Sequence, residues 1–277
     1  FFHRLKDRET VECLQAATGA RYWQVDYPTD YEDRYGYNDG PRASPVIEGN
    51  RVYTLGVEGK LHCLDLESGD IVWKRDLEAE FNLQRGFFGL VITPLVEGDL
   101  PIVNIGAPGG PNLVAFERHT GKTAWKAGGE WGASYASPVP AVVHGQRRVF
   151  VFAGGESKPP VGGLLSVDPA NGRIDVRFPW RSRKYESVNA ASPVVVGERV
   201  FISASYRTGG ALIRITPDFR EELVWKTSQL GTHFSTAIHR DGFLYGFDGR
   251  HQGDAALVCL DMESGREMWR FAPEWQE

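Results

Sequence analysis

Leu64-Asp65-Leu66-Glu67-Ser68-Gly69-Asp70-Ile71-Val72-Trp73 is the stretch whose meaning governs the rest of the chain. An apolar run ends in an aspartate, a Ser-Gly turn follows, and a tryptophan stands four residues after the glycine. The pattern recurs at Thr18-Gly19 with Trp23, Thr120-Gly121 with Trp125, and Ser264-Gly265 with Trp269. Two worn copies complete the series: Asn171-Gly172 leads to Val176, and residues 218–222 replace the glycine turn ahead of Trp225. The anchors 23, 73, 125, 176, 225 and 269 are spaced by 50, 52, 51, 49 and 44 residues. Such a period belongs to a stacked or radial array in which no unit buries its apolar face alone.

A second signature interleaves with the first. Ser44-Pro45-Val46 runs through Gly49 to Arg51-Val52-Tyr53, and Ser137-Pro138-Val139 through Gly145 to Val149-Phe150, with further copies starting at Thr93, Ser192 and Ser235. Each copy reads as a hairpin. Between hairpins and tryptophan turns lie short runs with period-two alternation and β-branched or aromatic enrichment, which are strands. One unit is therefore four antiparallel strands: over residues 44–77, A covers 44–47, B 51–56, C 60–65 and D 71–77. No segment carries a sustained helical stripe. Four-stranded units repeated radially describe a β-propeller. Trp23, Trp73, Trp125, Trp225 and Trp269, five of the eight tryptophans, stand early in strand D. There an indole closes the seam between neighbouring blades while its N–H reaches a polar partner, a structural docking role.

The repeat Leu64-Asp65-x-x-Ser68-Gly69-x-x-x-Trp73 resembles the tryptophan-docking motif of the pyrroloquinoline-quinone-like (PQQ-like) β-propellers, over practically the whole chain. That superfamily includes quinoprotein alcohol and glucose dehydrogenases and non-catalytic propellers such as the outer-membrane assembly lipoprotein. The resemblance implies an exported, periplasmic protein, most similar to bacterial propellers that commonly have eight blades. The fold expected is all-β: a single propeller domain over 1–277 with five complete blades and a partial first blade, a fragment of an eight-bladed ring. The partial blade covers 1–27, and the blades about 43–79, 91–129, 137–181, 191–228 and 235–272. Residues 273–277 are too few to supply both a connection and the missing strand of the first blade.

Bulk properties narrow the function. The chain has 277 residues, 42% of them hydrophobic and 24% charged, with a net charge of −5. Its basic residues are scattered, the densest group being Arg181, Arg183 and Lys184, so a nucleic-acid partner is not expected. No apolar stretch approaches the ~20 residues that span a bilayer, and no signal peptide opens the chain at Phe1. Cys13, Cys63 and Cys259 occupy one slot of the repeat, where other blades carry Ala115, Ser166 or Arg214. Equivalent slots in different blades are held apart, so these thiols are packing residues without disulfides.

Catalytic templates are scarce. There is no Gly-x-Ser-x-Gly elbow, His-Glu-x-x-His or phosphate loop, and Gly106-Ala107-Pro108-Gly109-Gly110 reads as a hairpin turn. The resemblance to quinoproteins would imply PQQ with calcium, for which Glu186 and Asn189 are the available oxygen donors, but the vicinal cysteine pair of many such dehydrogenases is missing. No cofactor or metal is expected otherwise. Aligning the residues ahead of each strand A brings Arg42, Tyr135, Asn189 and His233 to the mouth of the central channel, where they either brace loops or contact a ligand. The long connection 27–41 arrives at the same face with Tyr31, Tyr35 and Tyr37, and the next blade's connection brings Arg85 among aromatics. Loops of this length and chemistry suit protein or peptide contact, or pack on each other. The expectation is a binding or assembly scaffold, with a PQQ-dependent alcohol or sugar dehydrogenase as the alternative.

Overall fold

The computed structural model describes residues 1–107 and 109–273; Pro108 of the glycine-rich turn and residues 274–277 lie outside that description. Six antiparallel sheets follow one another along the chain. Blade I (2–28) has three strands, and blades II (46–76), III (95–127), IV (139–179), V (194–227) and VI (238–271) have four each, paired in sequence order. The short first strands of blades II to VI lie side by side in order around a common hub. This is a β-propeller.

In blades II to V the two middle strands are buried on both faces, so they read as near-continuous apolar runs, whereas strand D alternates. In blade II, Val52, Tyr53, Thr54 and Leu55 are all buried, whereas Ile71 is 45% and Trp73 8% exposed. Period-two geometry hands successive residues to opposite seams. Val103 and Val114 pack toward blade II, whereas Ile102 and Ala115 pack toward blade IV. Apolar clusters accordingly fill the gaps between sheets. The gap between blades I and II has the smallest apolar set and adds polar groups. There buried Glu9 accepts the Val57 N–H at 3.0 Å, and the Tyr27 ring stacks on buried His62 at 4.4 Å between centroids.

The turn glycine and the strand-D tryptophan are two halves of one joint, supplied by successive blades. A Cβ on Gly69 would come within 2.6 Å of the Trp23 ring, one on Gly121 within 2.7 Å of Trp73, one on Gly172 within 2.7 Å of Trp125, and one on Gly265 within 2.6 Å of Trp225. Each indole N–H then donates to the same carbonyl slot of the following blade: Trp23 to Leu66 (3.0 Å), Trp73 to Arg118 (2.8 Å), Trp125 to Pro169 (2.9 Å) and Trp225 to Met262 (3.0 Å). Glycine is required because its φ lies between +68° and +78° at these turns and the ring leaves no room for a side chain.

The two worn copies belong to the same seam. Blade IV has buried Val176 in place of the indole, and blade V has Phe219 at the tip of its turn, with φ of +56°. Phe219 folds back into the cluster that holds Val176, its ring facing the Arg148 guanidinium at 4.1 Å. The equivalent carbonyl, that of Ile215, accepts from His144 Nε2 at 2.7 Å. The aromatic ring thus comes from the following blade and the hydrogen bond from the preceding blade's first turn.

One sequence reading is corrected. The slot shared by the cysteines directly precedes a bulge in every sheet, and in blade V Leu212, not Arg214, holds it. The turn of that blade is longer: Leu212 pairs with Trp225 whereas Cys63 pairs with Trp73, so counting back from the turn misplaces the slot. Residues 77–81 form a short helix, α1 (Leu77–Phe81), whose first N–H groups Asp76 caps through Ala79 at 3.1 Å. One turn is too short to show helical periodicity. The cysteines are free, and burial pushes the Cys63 thiol up to about 11.

Candidate functional site

Connections leading into the first strands of blades II to VI surround a cavity of about 660 Å³ at the hub. Two loops build its aromatic side. In the connection 27–41, Asp33 is the organiser: its carboxylate accepts the N–H groups of Tyr35 (2.9 Å), Tyr37 (3.2 Å) and Asn38 (3.2 Å) and pairs with Arg42 at 2.7 Å. Burial works against this charge, but the Tyr35 and Asn38 N–H groups and Arg42 hold the carboxyl below its usual range. Arg42 also donates to the Phe88 carbonyl at 2.9 Å and to the Tyr31 hydroxyl at 3.2 Å, tying this loop to the next.

The second loop, 82–90, is pinned from blade IV. Glu156 accepts the Phe87 N–H and the Tyr135 O–H, both at 2.7 Å, and the Tyr135 oxygen accepts the Phe88 N–H at 3.2 Å. Burial and the neighbouring Glu156 charge raise the Tyr135 hydroxyl, which therefore stays protonated. So held, Phe87 and Phe88 meet Tyr35 with ring centroids 6.0 and 5.7 Å away, and Phe88 meets Phe234 from the far side at 6.1 Å. Tyr35 and Tyr37 are 52% and 78% exposed at the rim.

The opposite wall is polar. His233 packs on Phe234 at 4.0 Å and on Tyr206 at 5.6 Å. Burial, reinforced by Arg250 and His251, pushes it down to about 4, so it is a neutral imidazole at pH 7. The Arg250 guanidinium lies over Tyr206 at 3.8 Å. Tyr206 and Arg207 both adopt positive φ (58° and 63°) in a tight hairpin turn, a conformation favouring Asn-Gly. Two such residues in succession store of order 1–3 kcal/mol each, and the backbone so bent brings the Tyr206 ring to the cavity.

Of the residues singled out from sequence, Arg42, Tyr135 and His233 line the cavity together with Tyr35 and Tyr37. Asn189 does not: it is fully buried, its amide donating to the Ala153 and Trp180 carbonyls at 2.8 and 3.0 Å, and its neighbour Ala190 takes the lining position. Tyr31 is buried behind Arg42, and Arg85 is held among Glu58, Glu78 and Asp30 away from the cavity. Sequence reasoning overlooked Asp33, Glu156, Tyr206 and Arg250. Only Tyr206-Arg207 left a trace, as a two-residue turn between strands without a glycine inside it. The quinone–calcium pair fits poorly here, since Glu186 lines the cavity but Asn189, whose Oδ1 is buried without a hydrogen-bond partner, does not reach it. Among the described residues no three His, Cys, Asp or Glu side chains converge to hold a metal.

A family model described as outer membrane protein assembly factor BamB matches residues 7–271. BamB of Aliivibrio fischeri is 49% identical over 41 residues, 15% of this chain and 11% of that protein. The dehydrogenase subunit of quinone alcohol dehydrogenase from Komagataeibacter europaeus is 28% identical over 123 residues, 42% of this chain and 16% of that protein. The matched stretches thus span a small part of either curated relative. The crystal structure of BamB from Moraxella catarrhalis superimposes with a TM-score of 0.63 at 17% identity, covering 98% of this chain and 70% of that one.

Proposed function

This chain belongs to the family of outer membrane protein assembly factor BamB, and from that premise we propose that it is a docking scaffold of the cell envelope that receives a protein partner at the hub mouth. The observation that supports this most is the fixed aromatic rim. Tyr35, Tyr37, Phe87, Phe88 and Phe234 stand around one cavity; the loops of the first four are tied down by Asp33, Arg42, Tyr135 and Glu156, and that of Phe234 by Asp248 and Ser203. Aromatic side chains held rigid before binding lose little entropy on contact, which is how a small surface gains affinity. No helix among the described residues is long and apolar enough to cross a membrane.

The test is a photo-reactive amino acid at exposed Tyr37, with exposed Tyr22 on the outer strand of blade I as control, in the full chain expressed in its source cells. A discrete protein adduct at 37, absent at 22 and lost with Phe234→Asp, is expected. Equal labelling at both positions, or none at 37, refutes the proposal. The quinone-dependent reading draws on the similarity to the alcohol dehydrogenase subunit. A thermal shift with pyrroloquinoline quinone and calcium, accompanied by dye-linked alcohol or sugar oxidation, would install it instead.

A further inference from the structure

The hub cavity does not end at its polar wall. Tyr206 and Arg250 are shared with a second depression of about 820 Å³ that runs outward between blades V and VI, past Arg207 and Lys184. Arg250, Arg207 and Lys184 are all exposed, and none forms an ion pair with a carboxylate among the described residues. The acids in this trench are already engaged: Asp248 pairs with Arg270 at 2.9 Å, and Asp254 caps the N–H groups of Arg250 and His251 at 2.9 and 2.7 Å. Three cations against one carboxylate without a cationic partner, Asp254, run against the chain's net charge of −5.

The connection 27–41 carries charges of both signs: Glu32 and Asp39 are exposed, Asp30 pairs with Arg85 at 3.1 Å, and Arg34 lies against Phe87. The mouth is therefore asymmetric, with its unpaired basic groups gathered between blades V and VI and its aromatic rings beside them. A ligand bearing carboxylates on one end only is oriented by such a field.

We infer that the occupant is an extended acidic segment of a partner protein. One aromatic or large apolar side chain of the segment enters the hub cavity among Phe87, Phe88 and Phe234, and the carboxylates beyond it lie over Arg250, Arg207 and Lys184. The two depressions share Tyr206 and Arg250 as lining residues, and the segment passes from one to the other over that stacked pair. Glu186, the one carboxylate of the cavity wall, faces the anchor and accepts from the segment's backbone N–H groups. This assignment rests on the partner-docking reading of the same face and adds the partner's chemistry and direction.

The experiment uses the full chain and a fluorescein-labelled decapeptide with a Phe two residues ahead of four alternating Asp and Glu residues, read by anisotropy. Three changes should each weaken binding about tenfold, the scale of one charge-assisted hydrogen bond or one buried side chain: Arg250→Ser in the protein, Asn and Gln for Asp and Glu in the peptide, and Ser for its Phe. Arg207→Glu, at an exposed hairpin tip, should do the same while the circular dichroism spectrum stays that of the parent. Equal affinity of the parent and Arg207→Glu overturns the inference. So does displacement of the probe by millimolar inorganic phosphate together with indifference to the Phe, which would mark a small-anion site. If the adduct at 37 forms and the peptide does not bind, the acidic-segment assignment falls alone.

Discussion

Glycine identity at a propeller seam is decided by two separable effects, positive φ and an indole overhead. Gly98 shares the backbone conformation (φ +60°) but has nothing within 4 Å of its would-be Cβ, whereas Gly121 lies under Trp73. Gly98→Ala should cost about 1 kcal/mol from backbone strain alone. Gly121→Ala should cost ~2–4 kcal/mol, because overpacking adds to it, and urea midpoints at constant m-value measure the difference. Phe219→Gly relieves the strained φ yet empties the seam between blades IV and V, and a net loss of ~2–3 kcal/mol is expected. The sequence shows Val176 and the 218–222 turn as two independent lapses of the repeat. Neither alone reveals that one compensates the other, because the compensation crosses a seam between strands far apart in the chain.

At the scale of elements, the Phe87-Phe88 tip of the loop 82–90 is held from blade IV by one carboxylate. Glu156→Ala removes the acceptor of the Phe87 N–H and of the Tyr135 O–H. The amides of Phe87 and Phe88 should then exchange at least tenfold faster, with the blade cores unchanged, a local opening that hydrogen exchange resolves by residue. The strand Lys60–Asp65 makes a pH prediction. Burial, with Lys74 beside it, depresses His62 to about 4 from an ordinary 6.5. The unfolded chain therefore binds this proton more readily, and the stability present above pH 6.5 is lost as pH falls toward 4, by ~3 kcal/mol. His62→Phe keeps the stack on Tyr27 and should lose that much less between pH 6.5 and 4 in urea titrations. Glu9, raised mainly by burial, has the opposite sign and is common to both proteins, so the difference reports the imidazole. Strands and turns were legible because alternation and Ser/Thr-Gly are local signals. Of the mouth, the residues next to each first strand were legible by repeat alignment, whereas Asp33 and Glu156 act through backbone contacts that leave no pattern in the sequence.

For the molecule as a whole, stability is distributed over seams that each join only neighbours, as in other repeat arrays. Trp73 is 8% exposed with its N–H satisfied, whereas Trp269 is 44% exposed. Trp73→Phe should cost ~1–3 kcal/mol, and Trp269→Phe less than about 0.5 kcal/mol while removing a red-shifted component of the fluorescence. The seam chemistry also sets which blades are interchangeable. With blade IV excised alone, the Trp125 indole would meet the Phe219 turn and find no glycine; with blade V excised alone, Val176 would leave the Gly265 face bare. Excising both brings Trp125 onto Gly265, a knob and a socket already matched. Blades IV and V are thus a single cassette, and any shortening or duplication that includes either of them and keeps the seams closed must move them together.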